Sequence, residues 1–161
     1  MKTKVLSLLV DNTSGVLSRV SGMFSRRGYN IDSLSVGVTE NPKFSRMTVV
    51  VSGDDKILTQ IKNQLNKLED VVQVIELKDG ESVCRDLVLV KVKAGVQERQ
   101  QIISLANVYR ANIVDVSPDS IIIELTGNNS KVEAFINLLD GFEILELVRT
   151  GITGLARGAE N

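Results

Sequence analysis

Residues 4 to 10 form a short run rich in β-branched and aliphatic side chains, and Asp11-Asn12-Thr13-Ser14-Gly15 ends it with turn and capping residues. From Val16 the rhythm changes. Apolar residues fall at Val16, Leu17, Val20, Met23 and Phe24, the stripe of a helix lying on a sheet. Arg26-Arg27-Gly28 suits the end of that helix, with cations near its C-terminus and a glycine for a left-handed cap. An extended pattern follows at Ile31, Leu34, Val36 and Val38, turns over Glu40-Asn41-Pro42-Lys43 and returns through Met47, Val49 and Val51, which predicts a β-hairpin. Gly53-Asp54-Asp55 opens a second helix with Ile57, Leu58, Ile61, Leu65 and Leu68 on one face, and Val71 to Leu77 reads as a fourth strand. The predicted order is β-α-β-β-α-β, an antiparallel sheet with both helices on one face.

After the polar stretch Lys78-Asp79-Gly80-Glu81-Ser82 the same order begins again. A shift of about 82 residues carries Val5, Leu6, Leu8 and Val10 onto Leu87, Val88, Val90 and Val92, and Asn30-Ile31 onto Asn112-Ile113. Past the hairpin, tightened around Ser117-Pro118-Asp119-Ser120, the shift falls to about 74 and places Leu58, Ile61 and Leu65 onto Val132, Phe135 and Leu139. The expected class is therefore α+β, with two ferredoxin-like modules. The expected boundaries are 1–78, a linker at 79–82, and 83–161 with the segment from Thr150 as a C-terminal tail. One loop is not repeated. The same shift sends Asp11-Asn12-Thr13-Ser14-Gly15-Val16 onto Lys93-Ala94-Gly95-Val96-Gln97-Glu98, keeping the strand but replacing the small polar loop.

Composition narrows the function. The 161 residues include no histidine, so a Ser–His or Cys–His nucleophile pair and an imidazole metal site are excluded. Cys84 is the sole cysteine, which rules out an intrachain disulfide or a multi-thiolate cluster and suits a reducing compartment, with a small half-buried side chain as its expected role. Net charge is −1 and no basic cluster exceeds Arg26-Arg27, so neither nucleic acid nor an anionic membrane is an expected partner. The strands that would stack bases in an RNA-recognition module, residues 5–10, 46–51, 87–92 and 120–125, carry no aromatic residue. A phosphate-cradling reading of Gly95-Val96-Gln97 is opposed by Glu98. The apolar run that begins at Val5 ends at Asp11-Asn12, too short for a signal peptide or for a membrane helix of about 20 residues, and the expected location is the cytoplasm.

The first loop suits a small zwitterion. A helix N-terminus carries unpaired N–H groups and partial positive charge, and Gly15 allows a carboxylate to approach them. Asp11 could accept from a ligand ammonium, and Asn12 could accept from it or donate to the carboxylate. The same residues also make a plain N-cap and turn, and both readings stand on the loop alone. Asn30 either tolerates a turn or, if the apolar edge strand that follows pairs with a second copy, lies near the partner's first loop.

Residues 11–20 (Asp-Asn-Thr-Ser-Gly-Val-Leu-Ser-Arg-Val), residues 24–34 (Phe-Ser-Arg-Arg-Gly-Tyr-Asn-Ile-Asp-Ser-Leu), Ser45-Arg46-Met47-Thr48 and the tail from Gly151 to Gly158 resemble the small subunits of acetohydroxyacid synthase (acetolactate synthase), whose first module is an ACT domain. The likeness spans essentially the whole chain. It implies a subunit without a catalytic site of its own, one that activates the catalytic large subunit and confers feedback inhibition by valine or a related branched-chain amino acid. By the same resemblance, thiamine diphosphate, Mg²⁺ and FAD belong to the catalytic partner, and no metal or other cofactor is expected here. The implied effector site lies between paired ACT domains of a homodimer, with Asn12, Gly15, Val16 and Leu17 from one chain and Asn30 and Ile31 from the other. The alternative is an amino-acid-sensing ACT regulator of a different enzyme.

Overall fold

The computed structural model describes residues 2–159, so the outermost ends of the expected domains, at Met1 and at Glu160-Asn161, lie outside the described residues. The chain divides into two units: one runs through Val83 and takes in the stretch from Ile152 onward, and the other is Cys84–Gly151.

In the first unit the elements are β1 (Lys2–Asp11), α1 (Val16–Arg27), β2 (Asn30–Val38), β3 (Phe44–Gly53), α2 (Asp55–Asn66) and β4 (Val71–Leu77). The sheet is antiparallel in the order β2-β3-β1-β4, which leaves β2 on one edge. Alternate residues of the two inner strands, Leu6, Leu8 and Val10 with Met47, Val49 and Val51, meet Val20, Met23 and Phe24 of α1 and Leu58, Ile61 and Leu65 of α2 in one buried cluster. Period two in the strands and the apolar stripes of the helices thus agree on a single face. On β2 a bulge at Asp32 shifts the register, so Ile31 and Leu34, three residues apart, both turn to that core. Val36 and Val38 remain 49% and 63% exposed on the edge strand.

Both helix ends of α1 are glycines in the left-handed region, Gly15 at φ 87° and Gly28 at φ 68°; the latter bears out the cap expected after Arg26-Arg27. At α2 the Asp54 carboxylate accepts from the Ile57 N–H at 2.8 Å. Asp54→Ala is expected to cost about 1 kcal/mol. That should lower the melting temperature of the first unit by about 4–8 °C, read by differential scanning calorimetry; an unshifted transition would mean that tertiary packing alone holds the helix end.

The second unit repeats the plan with β5 (Ser82–Lys93), α3 (Val96–Val108), β6 (Asn112–Ser117), β7 (Ser120–Gly127), α4 (Asn129–Leu138), a 3₁₀ turn at Leu139–Gly141 and β8 (Ile144–Arg149). The strand order β6-β7-β5-β8 mirrors the first sheet, and Val88, Val90, Val92, Ile121, Ile123, Ile102, Val132, Phe135 and Leu139 form the second core. Two expectations are corrected here. First, α3 begins at Val96, earlier than the repeat alignment puts it: Ala94-Gly95 replaces Asn12-Thr13-Ser14-Gly15, and Glu98 is the third helical residue rather than the first. The Glu98 carboxylate accepts from the Gly95 N–H at 3.0 Å and so occupies that helix end.

Second, the tail does not join the unit it follows. The strand β9 (Thr153–Ala156) pairs with β5, off the main path of that sheet, yet it and its flanks group with the first unit, where Ser35 Oγ donates to the Ile152 carbonyl at 3.1 Å and the Arg157 N–H to the Glu81 carbonyl at 2.8 Å. Ser35 lies across from Thr48, and Thr48 from Ser7, on the sheet face without helices. Burial explains the placement. Ser7, Thr48 and Val50 on that face are all buried, and β9 packs against β3 and β4. A two-layer module would leave this face wet, so the tail serves as its third layer.

Candidate functional site

The loop after β1 is held from both sides. Its Asn12 N–H donates to the Lys43 carbonyl at 2.8 Å, and the Asp11 N–H to the Asp70 carbonyl at 2.9 Å. Asn12 Nδ2 donates to the Pro42 carbonyl at 2.9 Å, while its Oδ1 accepts from Ser45 Oγ at 3.1 Å. Asn12 is therefore largely engaged with the β2–β3 hairpin and fixes the loop, with one N–H and one lone pair left over for any ligand.

Beyond it, the N-terminus of α1 has no side-chain cap and no acidic residue in its first turn. Gly15 itself occupies the N-cap position in the left-handed region, so the loop does form an N-cap with a turn glycine, one whose helix amides no side chain caps. Val16 is buried in the core, so only its backbone faces the loop, whereas Leu17 is 48% exposed beside it. Leu17 is thus the apolar candidate available at the surface.

Asn30 and Ile31 lie elsewhere in the same chain. Asn30 pairs with Ser52 of β3, whereas Val38 pairs with Ser45, the residue bound to Asn12. Seven strand steps at about 3.4 Å separate these ends by about 24 Å. Asn30 is exposed and its Nδ2 donates to Asp32 Oδ1 at 2.7 Å; Asp32 in turn accepts from Ser52 Oγ. Ile31 packs partly into the core opposite Val51. The six candidates fall into two groups at opposite ends of one sheet.

Two residues that the sequence reading did not single out stand at the loop. Arg19 Nε donates to Asp70 Oδ2 at 2.5 Å, and its Nη2 makes a long 3.5 Å contact with the Ser14 carbonyl. The hydrogen bond to Asp70 raises the Arg19 guanidinium above the ordinary arginine value despite some desolvation, so it is charged at every accessible pH. A signal was present: Arg19 follows Gly15 by one helical turn, which stacks the two on one face. Among the described residues no group of three or more His, Cys, Asp or Glu is arranged to hold a metal ion, and no helix is long and apolar enough to cross a membrane.

Comparison with known proteins matches residues 6–73 to the model of the AHAS small subunit-like ACT domain, and residues 85–158 to that of the small subunit of acetolactate synthase. The acetolactate synthase small subunit of Mycobacterium bovis is 50% identical over 157 residues, covering 98% of this chain and 94% of its own. The chain belongs to the acetolactate synthase small-subunit family. The Mycolicibacterium smegmatis small subunit is 48% identical over 156 residues, with 97% and 92% of the two chains covered. The crystal structure of the Thermotoga maritima small subunit superposes with a TM-score of 0.91 at 41% identity, covering 99% of this chain and 100% of that one. The family resemblance and the α+β fold of two ferredoxin-like modules read from the sequence are both borne out.

Proposed function

We propose that this small subunit regulates an acetolactate synthase: it binds the catalytic large subunit, raises its activity and confers feedback inhibition by valine or a related branched-chain amino acid. The chemistry resides in the large subunit, with thiamine diphosphate, Mg²⁺ and FAD, in the cytoplasm. Family membership supports the assembly. The observation that carries the effector site is the separation of Asn12, Gly15 and Leu17 from Asn30 and Ile31 by the length of the sheet. One chain cannot close around an amino acid with both groups, but two can.

Edge strand β2 supplies the means. An antiparallel pairing of two β2 strands centred on Leu34 sets Asn30 opposite the partner's Val38, because the two are equally distant from Leu34. Val38 borders Ser45 and hence Asn12, so each Asn12 loop receives the partner's Asn30 and Ile31. The pairing also covers the exposed Val36 and Val38 edge, which an isolated sheet leaves as an aggregation risk. An effector bridging two chains ties occupancy to dimer geometry, and inhibition follows if the catalytic subunit is bound or shaped differently by the liganded dimer. Contacts to Leu17 and Ile31 each bury methyl groups worth about 0.8 kcal/mol per CH₂, so discrimination among valine, leucine and isoleucine is expected to be about 10–200-fold.

Calorimetric titration of the full chain with the three amino acids tests the reading directly, and heat from none of them would remove the effector role. The two-chain arrangement has its own signature. Asn12→Ala and Asn30→His variants should each bind valine weakly. Mixed in equal amounts and allowed to exchange subunits, they should recover about a quarter of wild-type sites, since half the dimers are mixed and each holds one intact site. No recovery after demonstrated exchange would place both residues in one chain's site or in none.

A further inference from the structure

The effector site proposed above lacks a positive side chain among its six residues, yet an amino acid brings a carboxylate to it. Arg19 supplies the missing charge. A Cβ built on Gly15 would lie 2.9 Å from Arg19 Nη1 and 3.6 Å from Cζ, so the guanidinium lies directly over the glycine at the open end of α1. Its Nε is taken by Asp70 and its Nη2 leans on the Ser14 carbonyl, while no hydrogen bond among the described residues uses Nη1. The side chain is 51% exposed, so the guanidinium is not sealed into the core.

Charge balance points the same way. A cation near a helix N-terminus adds to the partial positive charge already there, and this first turn contains no acid to offset it. Asp70 provides one negative charge and, with its backbone carbonyl bonded to the Asp11 N–H, anchors the guanidinium to the loop it overhangs. A guanidinium carries five donors in a planar fork and commonly serves two carboxylates at once. Its second edge, at Nη1, faces the place where a ligand carboxylate would meet the α1 amides.

We propose that Arg19 is a specificity-determining residue of the effector site: its Nη1 edge pairs with the carboxylate of the bound amino acid while Asp70 holds the guanidinium over Gly15. The inference rests on the effector reading and adds to it a selection for free amino acids over their carboxyl-blocked analogues. A Cβ at position 15 would press on the guanidinium tip, in addition to the strain that φ 87° places on any L side chain there.

The test compares L-valine with L-valinamide, which keeps the ammonium and side chain but has no carboxylate, by calorimetry on the full chain. Wild type is expected to bind valinamide at least about tenfold more weakly than valine. Arg19→Gln should weaken valine by about 10–100-fold and bring the two ligands within about threefold of each other, because only the valine complex uses the charge. Arg19→Lys, which keeps the cation without the fork, should retain part of the preference. A strut with no ligand contact would weaken both ligands alike. Arg19→Gln that still prefers valine as strongly as wild type overturns the assignment and leaves the effector site standing. Absence of valine binding to the wild-type chain overturns both together.

Discussion

Gly15→Asp is expected to abolish amino-acid binding while leaving the chain folded. Two effects converge on this position. Gly15 sits at φ 87°, where an L side chain costs about 1–2 kcal/mol, and its missing Cβ is where Arg19 Nη1 lies. The atom in the way is the tip of a flexible side chain, so the backbone need not move. An aspartate there would present its own carboxylate to the guanidinium and to the uncapped amides of α1, occupying the site from within. Valine affinity should fall by more than about 100-fold, the loss expected when a charge-assisted contact and the space for the ligand disappear together. Gly15→Ala is the control: it pays the same backbone cost and pushes Arg19 but adds no carboxylate, so it should weaken binding less. Calorimetry reads the binding, and the melting curve reads the fold. Valine binding unchanged in Gly15→Asp would dissociate this loop from the effector.

Arg149→Met is expected to be the most destabilising of these changes. Asp86 is 2% exposed and accepts from Arg149 Nε at 2.9 Å, from Arg149 Nη2 at 2.6 Å and from Thr150 Oγ1 at 3.3 Å. Arg149 also reaches Glu133 at 2.6 Å through Nη1. Burial works against charge on this guanidinium, but its hydrogen bonds to Glu133 and Asp86 outweigh it and hold the group above the ordinary arginine value. A raised arginine loses its stabilising charge only as pH climbs past that value, so the pair carries no titration of the arginine in the working range. Removing Arg149 leaves a buried carboxylate with the Thr150 hydroxyl as its principal partner, a loss of about 3–5 kcal/mol. Replacing both residues, Asp86→Leu with Arg149→Met, removes the stranded charge and should recover most of that loss. Denaturant unfolding of the three variants measures the coupling, and a double variant as unstable as the sum of the singles would show that the two residues act independently.

The ion pair illustrates a limit of reading along the chain. Asp86 and Arg149 are 63 residues apart and each sits within an ordinary strand pattern, with nothing in periodicity to join them. They meet because β5 and β8 are neighbours in the sheet, with Val88 opposite Arg149. The tail is a similar case. Thr153 to Ala156 is short and weakly patterned, and proximity in sequence suggested the second module. Buried Ser7, Thr48 and Val50 decide otherwise, because a sheet face needing cover is a property of the folded first unit.

What the amino-acid order determined by itself is the repeated β-α-β-β-α-β plan, the two cores and the caps. Those follow from local rules: side chains alternate in strands, recur on one face of a helix, and glycine ends it where φ turns positive. The first loop's fit to a small zwitterion was legible from its residues, whereas the full set of candidate effector residues came only through the family resemblance. The tertiary structure alone decided that those two residues stand at opposite ends of one sheet, that Asn12 is tied to the hairpin, and that Arg19 overhangs Gly15. The reason is physical. Strand register and the reach of a side chain across a loop depend on which elements pack together, and a linear pattern of polar and apolar positions encodes the face of each element but not its neighbour.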